Sequence, residues 1–492
     1  MNMYIGADLG TSALKLLLVD SDGKILNTVS KSYDVYYPNP GWSEQNPEDW
    51  WDAFVSGVLE LTNSFDSKKI CGLSVAGQMH GLVILDENDS VIRPAILWND
   101  GRTQKETDFL NEKIGKDTLS ELTANIAFAG FTAPKLLWLM DNEPEIFKKI
   151  SKIMLPKDYI LYRLTGVHST DYSDASGMLL LDVENKRWSE KMLEICHVSE
   201  NQLPKLYESY EKTGVIKKDI AELLGLGDNV YCAAGAGDNA GAALGTNVAG
   251  NGKCNISLGT SGTIFITSDK FGVDDNNGLH SFCHSDGAYH LMGCILSAAS
   301  CNKWFCDEIL KTDNYATDQT NIDTDSILQN DLFFLPYLMG ERSPINDTDA
   351  TGVFLGLRPT TKRSDMILAI LEGVAFAIRD NLEIAKKLGI KIEKSTICGG
   401  GAKSELWRKI IANVLNIRID VPKTEEGPGM GAAYLAMVAC GEFKTVLECS
   451  EKFFKIKDTV LPENKLSGHY EAKYRKFTKI YPEIKNLYKE IR

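Results

Sequence analysis

Asp8 closes a short apolar stretch and is followed by Gly10, Thr11 and Ser12, with Lys15 further along. A glycine turn between strands lets backbone N–H groups approach phosphate oxygens with no Cβ in the way. A carboxylate at the end of the preceding strand suits Mg²⁺, often through water, because magnesium keeps much of its hydration shell. An ordinary hairpin with a turn aspartate satisfies the same pattern. A second turn, Gly259-Thr260-Ser261-Gly262, has Ser257 where the first has Asp8. It therefore offers Gly259 and Thr260 as phosphate contacts without a metal ligand. A third, Gly399-Gly400-Gly401-Ala402, leads into a helix and could seat an adenosine against Gly400, Gly401 and Ala402, with the helix N-terminus adding positive potential. A tight strand–helix connection needs the same glycines. No GxxxxGK[ST] occurs, which argues against a P-loop, and GAGDNAG at 235–241 breaks the spacing of a dinucleotide fingerprint.

Asp238 stands among small residues in GAGDNAGAALG. Such a segment lets a helix pack closely and lets a substrate approach its start. A carboxylate there could take a proton from an attacking hydroxyl, a role typically worth about 10²–10⁴-fold in rate. A helix N-cap aspartate is the plainer reading, and the two roles can coexist. Polar and apolar groups suited to a polyol follow Gly77. His80, Asn99, Asp100 and Arg102 offer hydrogen bonds, and Met79 and Trp98 offer apolar faces. A histidine satisfied in a core would look the same as His80.

These residues need elements to position them. Tyr4–Asp8, Leu14–Val19 and a third run after Ser21-Asp22-Gly23 read as strands, and Ile70–Val75 as another. Val83 to Ile96 reads as a hairpin. A helix is expected from Pro47, with Asn46 as its N-cap and Glu48 and Asp49 in its first turn. DLGTSALKLLLVDSDG at Asp8 and SLGTSGTIFITSDKFG at Ser257 share one plan, strand, Gly-Thr-Ser turn, strand. The repetition suggests two related lobes, 1–248 and 249–492, although a short hairpin can recur by chance. In the second half, Met366, Ile370, Val374, Ile378 and Leu382 form one helical stripe. Further helices are expected over Ser404–Leu415, from Gly427 to near Gly441, and after about residue 466.

The 492 residues carry a net charge of -14, which disfavours a nucleic-acid or anionic-membrane surface. Phosphate binding must then rely on backbone donors, a metal or a few placed cations. The 11 cysteines include no CxxC pair and read as free thiols of a reducing, cytoplasmic setting. MNMYIGADLG lacks the pattern of a signal peptide, and no apolar run is long enough to span a bilayer.

Taken in order along the chain, DLGTS, WSEQNPEDWW, AGQMHG, RPAILWNDGR, FTAPKLLWL, LPKDY, SDASG, GDNAGAALG, SLGTSG, FLPYLMGER, ICGGGAKSELWR and GPGMGAA resemble the FGGY carbohydrate kinases, as do Gly130 to Asn142 and Gly352 to Glu372. The resemblance implies an α/β, two-lobed actin/hexokinase/Hsp70-like (ribonuclease H-like) fold with the active site in the interlobe cleft. It implies ATP and Mg²⁺ as cofactors, Asp238 as the catalytic base, and Asp8 with Asp238 near the metal. Thr11, Ser12 and Lys15 match the first phosphate loop, Gly259 and Thr260 the second, and Gly400, Gly401 and Ala402 the adenosine region. Met79 and His80 match the segment that touches the sugar, joined by Trp98, Asn99, Asp100, Arg102 and Asn239 as substrate contacts.

Gln78-Met79-His80-Gly81 is similar to the members that phosphorylate D-xylulose at its 5-hydroxyl. L-ribulose, gluconate and glycerol are the alternative acceptors, and a regulatory ATPase of the same fold is the rival from another class. The expected partners are a sugar and ATP, with no nucleic acid or membrane and a homodimer left open. Ala236 replaces a glycine common in the family, and Ser343 a threonine. Neither motif gives Glu341 or Arg342 a role.

Overall fold

The computed structural model describes residues 1–320, 322–424 and 426–491. Two mixed sheets dominate it. The first contains β1 (Met3–Leu9), β2 (Ala13–Asp20), β3 (Ile25–Ser32), β4 (Ile70–Gly77), β5 (Tyr231–Ala233) and β6 (Ala236–Gly237). The second contains β7 (Cys254–Leu258), β8 (Gly262–Ser268), β9 (Tyr289–Ile295), β10 (Lys394–Cys398) and β11 (Arg418–Pro422). Pairing runs β3-β2-β1-β4-β5 in one and β9-β8-β7-β10-β11 in the other. Directions repeat as well. β1 is antiparallel to β2 and parallel to β4, and β7 is antiparallel to β8 and parallel to β10. The paired Gly-Thr-Ser hairpins of the sequence are thus the same piece of two like-built sheets, as expected of the actin/hexokinase-like fold.

Helix α1 (Pro47–Thr62) starts as its residues dictate, with the Asn46 side chain accepting from the Glu48 N–H. It buries Trp50, Phe54, Val58 and Leu61 against the first sheet. In the second half, α3 (Arg363–Lys387) lays its apolar stripe against Ile256, Phe334 and Trp407. The next helix, α4 (Glu405–Leu415), is capped by Ser404, and the terminal helix α6 (Asn464–Ile491) docks on it. The expected hairpin forms: the Asp86 N–H donates to the Ser90 carbonyl at 3.0 Å, Ile92 to Ile84 at 3.1 Å and Leu82 to Ile96 at 3.0 Å, with antiparallel bridges at Leu85–Val91 and Leu82–Ile96. Its arms also take long-range partners, Val83–Leu85 pairing with Lys152–Met154 and Ala95–Ile96 with Glu44–Gln45. The second pairing ties Trp98 and its neighbours to α1's entry strand.

Helices α2 (Asp238–Gly245) and α5 (Gly427–Ala439) cross in the middle of the molecule, and α5 also packs on β1 and β4. Their backbones touch through glycine. A Cβ on Gly431 would stand 1.9 Å from the Gly241 carbonyl oxygen, and one on Gly245 2.1 Å from that of Gly427. Close approach of this kind fixes the axis on which Asp238 is mounted. Gly431→Ala is therefore expected to lower stability by about 1–3 kcal/mol through overpacking. Chemical unfolding checks this, and an unchanged midpoint would show that the crossing can yield.

Candidate functional site

The parallel strands β1, β4 and β6 end side by side. Asp8 is in register with Ala76 and Ala76 with Ala236; one residue on, Leu9, Gly77 and Gly237 align. Neighbouring strands lie about 4.8 Å apart, so the chain segments leaving these three ends open into one space. Asp8, Met79-His80 and Asp238 all come from that edge, the usual location of ligands in open α/β sheets.

Asp238 occupies the first turn of α2, and both the backbone N–H and side-chain amide of Asn239 donate to its Oδ1, at 2.7 and 2.9 Å. Burial raises its pKa to about 6, while those two bonds pull the other way. Burial, then the charge of Asp238, raises that of Asp8 to about 7, and Lys15 opposes the rise. Two carboxylates thus converge with too little positive charge between them. Such a pair fits a hard divalent cation. Lys15 is not poised as a free phosphate ligand. It is paired with Glu426 at 2.5 Å, a residue just before α5 that no local pattern singles out. Among the described residues no ready-made cluster of metal-binding side chains is present, so a cation here would need phosphate or water as further ligands.

His80 has a left-handed backbone, φ 67°, held because Lys135 Nζ and Thr132 Oγ1 donate to its carbonyl at 2.8 and 3.1 Å. Its Nδ1 lies 2.7 Å from the Gly177 carbonyl oxygen and must donate to it. Burial lowers its pKa to about 3, so the ring is neutral and Nε2 is a hydrogen-bond acceptor. Met79 packs at the other side of this corner, and a Cβ on Gly237 would meet it at 3.0 Å. Burial also lowers Lys135 to about 7, and its ammonium donates to two carbonyls, those of His80 and Gly130. The sequence reading missed Lys135, because an isolated lysine in an apolar helix gives no sign of what it supports.

Trp98 is anchored by its ring edge to the first glycine loop. It is about half exposed, and its indole N–H donates to Thr11 Oγ1 at 2.9 Å. Thr11 donates in turn to Gln78, and Gln45 bonds both Gln78 and the Thr11 carbonyl. The first glycine loop and the Gln78-Met79-His80 segment are thereby one network, with Ser12 exposed at its tip. Asp100 and Arg102, expected to offer hydroxyl contacts, are buried among protein partners. Arg102 is closed within ion pairs to Asp100 and Glu44, both 2.7 Å, and stacks on Trp42. Asp100 also accepts the Ser43 N–H at 2.6 Å. Both brace the loop that carries Trp98 and the exposed Asn99.

A cavity of about 1260 Å³ lies between the second and third glycine loops, lined by Gly259, Thr260, Ser300, Lys303, Gly400 and Gly401. Ser300 Oγ donates to the Thr260 carbonyl at 2.7 Å and steadies that loop. Ala402 lies buried beneath, its carbonyl bonded by Arg408, so it supports the wall rather than forming it. Glu341 is a buried brace whose Oε1 accepts the N–H groups of Leu296 and Arg342, and burial raises its pKa to about 8. Arg342 lies over Phe128, and its charge bears on His80 and His280, which brings it toward the Gln78-Met79-His80 segment.

Residues 3–245 match the model of the N-terminal domain of the FGGY family of carbohydrate kinases, and residues 254–440 match that of the C-terminal domain. A xylulose kinase from Escherichia coli (strain K12) is 38% identical over 489 residues, 98% of this chain and 99% of that protein. The solved xyloylose kinase from Brucella ovis has a TM-score of 0.93 at 38% identity, covering 99% of this chain and 100% of its own. A gluconate kinase from Lactobacillus acidophilus has the same TM-score at 27% identity, covering 100% of both.

Proposed function

Because the chain belongs to the FGGY family of carbohydrate kinases, an ATP-using family of sugar phosphotransferases, we propose that its acceptor is D-xylulose, phosphorylated at the 5-hydroxyl. The observation that carries the mechanism is that Asp8 and Asp238 come from the ends of the two strands flanking β4, whose own end leads to His80. Asp238 takes the proton of the attacking hydroxyl, which makes that oxygen nucleophilic toward the γ-phosphorus of ATP. Asn239 holds the carboxylate Oδ1 in place, leaving Oδ2 for the acceptor. His80 Nε2 accepts a hydrogen bond from a second sugar hydroxyl, and Met79 gives the carbon chain an apolar wall. The adenosine sits in the cavity between the glycine loops, and the phosphates reach toward Thr11 and Ser12. Mg²⁺, held by Asp8 with Asp238 nearby, would neutralise charge on the phosphates.

Two kinds of support favour xylulose: the Gln78-Met79-His80-Gly81 segment and the full-length likeness to xylulose kinases. The likeness to a gluconate kinase favours a second reading, a sugar-acid acceptor met by Arg342, and a sugar panel separates them. Purified protein with ATP and Mg²⁺ is expected to turn over D-xylulose with the highest kcat/KM among xylulose, L-ribulose, gluconate and glycerol. A preference for gluconate overturns the xylulose assignment, and ATP turnover indifferent to every sugar overturns kinase chemistry at this site.

His80→Ala removes one neutral hydrogen-bond acceptor. It is expected to raise the sugar KM about tenfold while the ATP KM holds, because a single such bond is worth about 0.5–1.5 kcal/mol. Equal changes in both constants would place His80 outside the acceptor site.

A further inference from the structure

A line of polar groups runs from the interior of the first lobe to the residue before Asp238. Lys157 is fully buried, and its ammonium lies 2.6 Å from Asp158 Oδ1, 3.0 Å from Asp171 Oδ1 and 3.6 Å from Asp174 Oδ2. Asp171 turns its other oxygen, Oδ2, to the Ser173 N–H at 2.9 Å, the Ser173 hydroxyl at 2.5 Å and the Ser209 hydroxyl at 2.7 Å. Ser173 Oγ then accepts the backbone N–H of Gly237 at 3.2 Å.

The polarity of this line is forced. A carboxylate beside an ammonium has no proton to give, so the Ser173 hydroxyl donates to Asp171. Its lone pairs are left for the Gly237 N–H. The backbone it holds has little other freedom. Gly235 has φ +83°, with space for a Cβ closed by the Val75 carbonyl oxygen at 2.4 Å, and Gly237 is pressed against Met79. The turn is therefore shaped by Lys157 and Ser173 on one side and the sugar-facing Met79 on the other. The Gly237 N–H, next to Asp238, donates to the Ser173 side chain at a position where the strand pairs Gly237 with Gly77, so sheet and side chain both hold this turn.

We propose that Ser173, oriented by Asp171 and Lys157, is a positioning residue for Asp238, fixing the backbone from which the base reaches the acceptor hydroxyl. The proposal rests on the reading of Asp238 as base and goes beyond it, since Ser173 touches neither sugar nor phosphate. Without the Oγ acceptor the Gly237 N–H is released, and the turn can shift the carboxylate off the line of proton transfer. Misplacement of a reacting group by about 1 Å can cost about 10²-fold in rate.

The test compares wild type, Ser173→Ala, Ser173→Thr and Asp238→Asn in steady state, with Tm measured on each. Ser173→Ala is expected to lower kcat about 10- to 100-fold, with both KM values held within about threefold and Tm near wild type. Ser173→Thr keeps the Oγ and is expected to recover kcat to within about threefold of wild type. The proposal is overturned if Ser173→Ala keeps kcat within about threefold of wild type, if Thr is as slow as Ala in folded protein, or if the lost rate tracks a lost folded fraction. Should Ser173→Ala not fold, Ser173→Cys, similar in shape and a weak acceptor, carries the same comparison. An active Asp238→Asn defeats the base assignment itself, whereas an inactive Asp238→Asn beside a fully active Ser173→Ala defeats only the role given to Ser173.

Discussion

Asp238→Asn is expected to lower kcat by about 10²–10⁴-fold while leaving the ATP KM within about threefold of wild type. The substitution is nearly isosteric and keeps an oxygen that can accept the two bonds from Asn239, so the turn need not move. In the proposed mechanism, what it removes is the basicity that draws the proton from the acceptor hydroxyl. The amide also withdraws one of two converging negative charges, which relieves Asp8. Metal and nucleotide binding should therefore persist while chemistry fails. A coupled assay for ADP at saturating sugar, set beside a nucleotide-binding titration, separates the two. A variant retaining more than about a tenth of the wild-type rate would mean that the proton leaves by another route, with Asp238 acting through charge alone.

Lys157→Met is expected to give the largest loss of stability, about 3–5 kcal/mol, because it leaves carboxylates buried without their cation. Burial by itself would lower the pKa of the ammonium, but Asp158, Asp171 and Asp174 together push it far upward, so it remains charged at any working pH. Burial and acidic neighbours hold the pKa of Asp174 well above the usual carboxylate range, and neither of its oxygens has a hydrogen-bond partner. With Lys157 gone, Asp158 and Asp171 must take up protons or let water in. Urea unfolding followed by tryptophan fluorescence reads the effect, since Trp50 and Trp51 belong to the same lobe's core. A loss under about 1 kcal/mol would show that the acids already fold neutral, and the electrostatic account of the cluster would fail.

The strands and helices were largely legible because their signals are local. Asn46 before Pro47, the stripe along α3 and the two Gly-Thr-Ser turns each specify structure within a few residues. The hairpin over Val83 to Ile96 was legible from its local turn, but the further partners of its arms, Lys152–Met154 and Glu44–Gln45, were not, because no short window contains them. The partners of Arg102 and Asp100 were hidden in the same way. Two charged residues in a loop look available until Glu44 and Trp42 are folded over them. Trp98 likewise reads as an apolar platform, and only the fold brings Thr11 to its indole nitrogen.

Residue types and order alone marked the glycine turns, the aspartates at 8 and 238 and the Met79-His80 segment, because each is recognisable from its own residue type and immediate neighbours. Tertiary structure decided the rest: that strand register sets Asp8 and Asp238 at one edge, that Lys15 meets Glu426, that Gly177 and Lys135 fix the face His80 presents, and that Ser173 holds Gly237. The physical reason is distance along the chain. A hydrogen bond or ion pair between residues tens to hundreds of positions apart leaves no periodicity or spacing in the sequence, yet in the folded molecule such contacts set the charge, tautomer and direction of every group that does chemistry.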